Sequence, residues 1–309
     1  MRSPSRRVVL LGGLGVAAAA CVGGYELIQD GTLPGKYTLA RLDGACGSAP
    51  PPPVGPPPVR RVATFQSAYR HQAVQTVTLI PAGVSSLRGL GVVVALHGAF
   101  ASAATMASLM APAMTAAGVK TFVTICVDGG NTYWHKRADG DDPVGMILHE
   151  VLPRAAAVGL RTARIGLTGL SMGGYGALLL AEQLAAARTT AARSAHRAAT
   201  PRITAVAALS PAIFASYADA RAADRTSFDS AADFARNDVF TGLQALTWVP
   251  TWIACGGDDP FQQETSAVLS RLAALKGHQI EGGIMGGCHD DAFWGRNMPT
   301  ALRFIAAGL

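Results

Sequence analysis

Gly169-Leu170-Ser171-Met172-Gly173-Gly174 stands between a compact apolar run, Arg164-Ile-Gly-Leu-Thr168, and an Ala/Leu-rich run at 172–187. The first flank reads as a strand buried on both faces and the second as a helix. Glycines on both sides of Ser171 permit a turn too tight for side chains. A strand, a tight turn with one serine at its apex and a helix expose that hydroxyl at the carboxyl edge of a sheet. The bland alternative, a glycine-rich turn that only packs tightly, is disfavoured because both flanking elements are in place.

Further compact apolar runs read as strands: Gly91-Val-Val-Val-Ala-Leu96, Lys120-Thr-Phe-Val-Thr-Ile-Cys-Val127, Ile203-Thr-Ala-Val-Ala-Ala-Leu209 and Thr251-Trp-Ile-Ala-Cys255. Residues 74–80 alternate and read as an early antiparallel strand. Helical stretches fall between these runs at 102–117, 143–158 and 262–275. Strands alternating with helices make a mostly parallel central sheet with helices on both faces. With the serine turn, this is the pattern of the α/β-hydrolase fold.

A serine hydroxyl is a weak nucleophile and needs a base oriented by an acid. This fold orders them Ser, acid, His along the chain, so both partners must follow residue 171. Three histidines do. His196 lies among Arg188, Arg193, Arg197 and Arg202, and His278 precedes a last strand, where a loop histidine is the plain expectation. His289 follows Gly286-Gly287-Cys288 near the end of the chain and is the expected base. Asp258 and Asp259 follow the strand at 251–255 and are the candidate acids. One oxyanion donor is the N–H of Met172 at the helix start. The loop His97-Gly98-Ala99-Phe100 supplies the second through Ala99. His97 is assigned to the substrate side of this loop, against a plainer reading as a hydrogen-bonding loop residue.

Two metal patterns fail as written. His149-Glu150-Val-Leu-Pro153 has proline where a zinc helix needs its second histidine. Residues 139–142 with Glu150 have Pro143 and Val144 where a calcium loop needs a ligand and a glycine. Solvated turn carboxylates are the expectation, and the chemistry calls for no metal and no cofactor.

Half of the 309 residues are hydrophobic and 15% are charged, so the chain is globular with a sizeable core. The net charge of +6 comes without aromatics interleaved among its arginine clusters, which argues against nucleic acid as a partner. Ser5-Arg6-Arg7-Val-Val-Leu10 and the uncharged run to Gly24 read as a twin-arginine export signal. Its apolar stretch at 8–24 is at the lower limit for a membrane anchor. Cys21 is a weak lipidation site. The expected organisation is a signal or anchor at 1–24, an exported linker at 25–59 and a catalytic domain at 60–309. The proline run at 50–58 reads as a semi-rigid spacer between tether and domain. Export permits disulfides among Cys46, Cys126, Cys255 and Cys288. Cys126 reads as a buried thiol, and Cys46 has either Cys255 or Cys288 as partner.

Gly-Leu-Ser-Met-Gly-Gly-Tyr-Gly at 169–176, Leu96-His97-Gly98 and His289-Asp-Asp-Ala-Phe-Trp294 together resemble the esterase branch of the α/β-hydrolases. That branch includes S-formylglutathione hydrolases, feruloyl esterases and secreted mycolyltransferases. The resemblance covers about residues 75–305. It implies Asp259 as the acid, by a Gly-x-x-Asp-x-Phe pattern at Gly256, Asp259 and Phe261, and Met172 and Ala99 as oxyanion donors. It also implies that the segment 128–135 overhangs the site, with Trp134 facing either the substrate or the loop interior. The expected activity is an exported serine ester hydrolase acting on a small-molecule or lipid acyl ester. Acyl transfer by the same three residues, or a non-catalytic envelope protein that kept the fold, are the alternatives.

Overall fold

The computed structural model describes residues 36–191 and 200–309. The leader, Cys21, Arg193, His196 and Arg197 lie outside the described residues. In chain order the elements are α1 (Lys36–Leu42), β1 (Val59–Ser67), β2 (Gln72–Ile80), β3 (Gly91–Leu96), α2 (Ala103–Ala117) and β4 (Phe122–Val127), then α3 (Pro143–Met146) and α4 (Leu152–Ala157). They continue with β5 (Arg161–Leu170), α5 (Met172–Ala191), β6 (Arg202–Leu209), α6 (Tyr217–Ala223), α7 (Ala231–Arg236) and α8 (Val239–Gly242). Last come β7 (Thr251–Gly256), α9 (Gln262–Ala273), β8 (Ile280–Met285) and α10 (Asp291–Gly308).

One sheet runs β1-β2-β4-β3-β5-β6-β7-β8. β1 and β2 pair antiparallel, and β2 meets β4 antiparallel. From β4 onward every pair is parallel. The central strands are apolar throughout because both faces are covered. In β3, Val92, Val94 and Leu96 enter one core while Val93 and Ala95 enter the other. The first core lies under α5, and the second is closed by α2 and α10. The parallel arrangement brings the carboxyl ends of β3, β5, β7 and β8 to one edge, where α/β sheets place their ligand sites.

The stretch expected as one helix at 143–158 is divided. A π-helical turn at Ile147–Val151 separates α3 from α4. Leu152 N–H bonds back to the Ile147 carbonyl, five residues earlier, and Pro153 has no N–H with which to continue the α ladder.

The proline run does not stand away from the domain. Cys46 is bonded to Cys288. Arg296 donates to the carbonyls of Cys46 and Ser48. Pro50 packs against Gly295 of α10, so closely that a Cβ on that glycine would lie 3.2 Å from the proline ring. Farther on, a Cβ at Gly55 would lie 3.4 Å from Thr115 in α2. The disulfide at one end and these contacts along its length turn the expected spacer into a strap across α10 and α2. Cys126 and Cys255 are buried and unbonded.

Candidate active site

Ser171 sits where β5 passes into α5, with φ +55°, in the left-handed region that side chains rarely occupy. Three backbone hydrogen bonds hold it there. Its N–H donates to the Leu209 carbonyl at the end of β6, and its carbonyl accepts from Tyr175 and Ala212. The glycines are required by space. A Cβ at Gly169 would lie 2.1 Å from the Gly173 carbonyl oxygen, and one at Gly173 would lie 2.0 Å from that of Leu96. The turn is therefore wedged between the ends of β3 and β6, with its hydroxyl turned outward.

His289 comes from the loop after β8, four residues past the strand end. Its Nε2 lies 2.9 Å from Ser171 Oγ, and its Nδ1 lies 2.9 Å from Asp259 Oδ2. Asp259 follows β7, and its other carboxylate oxygen accepts from Phe261 N–H at 2.9 Å. The acid and base loops are fastened together: Gly257 N–H donates to the Met285 carbonyl and Asp258 N–H to that of Gly287. The imidazole also lies edge-on between two rings, Phe261 at 5.3 Å and Trp294 at 5.1 Å. Of the two candidate acids, Asp259 is the one aimed at the histidine.

The Asp259 side chain is fully shielded from solvent. Burial alone would raise its pKa. Its hydrogen bond and charge interaction with His289, with the bond from Phe261 N–H, outweigh burial and hold the carboxyl below the usual aspartate range. Asp259 is thus a charged group opposite Nδ1, which fixes the proton on Nδ1 and leaves Nε2 as acceptor for the serine proton.

The two expected oxyanion donors border Ser171. Met172 is the first residue of α5, so its N–H has no acceptor within the helix. A Cβ at Gly98 would lie 3.4 Å from Ser171 Cβ, which brings the backbone of the Ala99 loop against the nucleophile.

His97 borders the cleft but offers no free ring nitrogen to it, and Trp134 does not line it. His97 is 1% exposed, its Nε2 accepts from Gly129 N–H and its Nδ1 donates to the Gly98 carbonyl. Nε2 ties the loop 97–100 to the segment after β4, and Nδ1 is spent within that loop. Trp134 is also 1% exposed and donates its indole N–H to the His97 carbonyl. Its ring fills the space left by Gly129 and Gly176, where a Cβ would come within 2.3 and 2.5 Å of it. The segment 128–135 thus supports the loop 97–100 from behind; Trp134 packs there because two glycines open a slot of its shape.

The turn carboxylates are partnered, not merely solvated. Asp141 takes a two-pronged ion pair from Arg70 at 2.7 and 2.8 Å. Asp142 caps α3 through Gly145 N–H. Glu150 is buried and accepts from Ser67 and from Ala68 N–H. Among the described residues, the one cluster of metal-ligand types is Cys46, Cys288 and Asp290. The disulfide consumes both thiolates, and Asp290 caps α10 through Phe293 N–H.

A cleft of about 830 Å³ opens directly at Ser171 and His289. Its walls include the strap prolines at 50–53 and Trp294, which the sequence did not mark as site residues. The available signal was the position of Cys288 immediately before His289: a cystine there delivers whatever follows Cys46 to the base.

No protein family matches this sequence, and no curated protein sequence is significantly similar to it. Solved structures are similar in fold. A fluorophosphonate-binding serine hydrolase of Staphylococcus aureus superposes with a TM-score of 0.62 at 16% identity, covering 82% of this chain and 99% of that one. An S-formylglutathione hydrolase of Agrobacterium tumefaciens gives 0.62 at 16% identity, covering 81% and 95%. A thermostable esterase of Pseudomonas putida gives 0.64 at 18% identity, covering 90% and 91%. With the strand order and the helices on both faces, these likenesses identify the α/β-hydrolase fold.

Proposed function

We propose that this chain is a serine hydrolase that cleaves carboxylic esters through an acyl-enzyme on Ser171. The observation that carries this reading is the unbroken hydrogen-bond chain from Ser171 Oγ through His289 to the buried carboxylate of Asp259. In this mechanism Ser171 Oγ attacks the ester carbonyl carbon while its proton passes to His289 Nε2. Asp259, charged and immobile, stabilises the imidazolium that results. The N–H groups of Met172 and Ala99 receive the developing oxyanion. Nε2 then returns the proton to the departing alcohol, and a water activated by the same nitrogen releases the acid. The names of the similar structures, an esterase, an S-formylglutathione hydrolase and a serine hydrolase, support the same chemistry.

The site of action in this reading is outside the cytoplasm. The Arg6-Arg7 leader supports it, as does the Cys46–Cys288 bond, because disulfides persist in oxidising compartments.

The test is Ser171→Ala assayed on a nitrophenyl acetate. Loss of at least about 10⁴ in kcat is expected with an unchanged melting temperature. A fluorophosphonate should label one serine in the wild type and none in the variant. A folded Ser171→Ala protein with wild-type turnover overturns the proposal.

A further inference from the structure

The cleft is far larger than a formyl or acetyl group requires, and it lies toward the upper end of the roughly 300–1,000 Å³ typical of small-ligand sites. Its shape follows from one helix face. Thr105, Met106, Leu109, Pro112, Ala113 and Ala116 of α2 all line it, a spacing of three and four residues that marks a single stripe along the helix. From residue 105 to residue 116 that stripe runs about 16 Å, at about 1.5 Å per residue. Trp294, Gly295 and Pro299 of α10 form the facing wall. The strap at 46–55 follows the same course. It starts at the disulfide beside His289, crosses Gly295 at Pro50, lines the cleft with residues 50–53 and reaches Thr115 near the far end of α2 at Gly55.

We propose that the strap and α2 together form a groove for the acyl chain of the ester, and that the strap is a specificity element favouring chains of about ten carbons over short ones. The inference rests on the hydrolase reading above. The groove is mainly apolar, with Thr105, Ser108, Asp291 and Arg296 as polar lining, and is continuous with the nucleophile; it begins at the loop 97–100, where the carbonyl carbon would be held. The acyl chain is the substituent that becomes bonded to Ser171 when the alcohol leaves and remains so until water releases it, so its burial acts on the acyl-enzyme as well as on encounter. At about 1.5 Å per carbon–carbon bond as an upper limit, 16 Å accommodates at least about ten carbons. Prolines suit the outer wall because their ring conformation is fixed and the wall loses little freedom when a chain binds.

The experiment measures kcat/KM of the full, oxidised chain on nitrophenyl esters from acetate to decanoate, below their aggregation concentrations, and in parallel on acetates of lengthening alkyl alcohols. In the wild type the acyl series should rise at least tenfold from butanoate to decanoate. That is well inside the about fourfold per methylene that complete burial allows. The alcohol series should stay flat. Leu109→Trp, which blocks the stripe midway, should lower the decanoate-to-butanoate ratio at least tenfold. Replacing the four prolines by serine (P50S, P51S, P52S, P53S) should lower it at least threefold. Because the readout is a ratio, a partly unfolded preparation reduces both rates equally and leaves it unchanged. Absence of Ser171-dependent hydrolysis of any ester refutes the hydrolase reading itself. Ser171-dependent hydrolysis with no acyl-length preference, with a preference carried by the alcohol series, or with a ratio that both variants leave intact, overturns the groove.

Discussion

Replacing Asp259 by asparagine should damage catalysis through the direction of one proton. The carboxylate now accepts on both oxygens, from Phe261 N–H at Oδ1 and from His289 Nδ1–H at Oδ2, each at 2.9 Å. An asparagine has one carbonyl oxygen to share between these donors. The backbone N–H of Phe261 cannot invert, so the amide oxygen turns to it and the NH₂ group faces His289. The imidazole must then carry its proton on Nε2, where it points at Ser171 Oγ and blocks proton acceptance. The expected loss in kcat is up to about 10⁴, the cost of the wrong tautomer in serine triads, equivalent to about 5.4 kcal/mol in the barrier. The unchanged volume leaves the fold intact. Asp258→Asn is the internal comparison: the Asp258 backbone, not its side chain, joins the acid and base loops, so the rate should fall less than about threefold. Steady-state hydrolysis of a nitrophenyl ester near pH 7.5, with active-site titration to count competent enzyme, reads both. If Asp258→Asn costs as much as Asp259→Asn, or if Asp259→Asn keeps more than a tenth of the activity, the tautomer argument is wrong.

Gly173→Ala places a methyl group 2.0 Å from the Leu96 carbonyl oxygen and should destabilise the domain by about 3 kcal/mol or abolish soluble expression; a normal urea midpoint would refute the close-approach argument. Glu182 is buried on α5, and burial, with the charge of Asp238, pushes its carboxyl well above the usual glutamate range. The native state therefore holds a proton that the unfolded chain gives up, and stability falls as pH rises above about 4.5. Glu182→Gln removes that dependence and should raise Tm by at least about 2 °C at pH 8 with a smaller gain at pH 5; a gain independent of pH would contradict it. Lys at both Arg6 and Arg7 should leave active enzyme in the cytoplasmic fraction, and activity exported as before would refute the twin-arginine route.

What could be read from the sequence was what depends on neighbours along the chain. The strand, serine and helix at 164–187 are contiguous, so the elbow was legible from residue types alone. That His289 and Asp259 lie in line with Ser171 was legible because chain order in this fold prunes the choices to a few residues, and the resemblance at Gly256 and Phe261 then separates Asp259 from its neighbour. The strap was not legible. Its prolines carry no periodicity, and their placement depends on a bond to a cysteine 242 residues away, which sequence left open between two partners. Trp134 was ambiguous for a similar reason. An aromatic in a loop reads alike whether it faces solvent or a slot, and the slot here is made by Gly129 and Gly176, remote from each other in sequence. The carboxylates at 139–142 looked like free turn residues because Arg70, which engages Asp141, lies four elements earlier, before β2.

The two unbonded thiols bear on how the enzyme matures. The four cysteines of the described residues permit three complete pairings, and an exchange reaction among them requires a thiolate that can reach a sulfur. Cys126 and Cys255 are enclosed in the folded sheet, and burial raises both pKa values far above the ordinary thiol range. Once the sheet has formed, neither is available as an attacking nucleophile, and among the cysteines of the described residues the oxidant meets Cys46 and Cys288 alone. A chain delivered already folded to an oxidising compartment would therefore need an electron acceptor to complete its strap, but no isomerase to correct it.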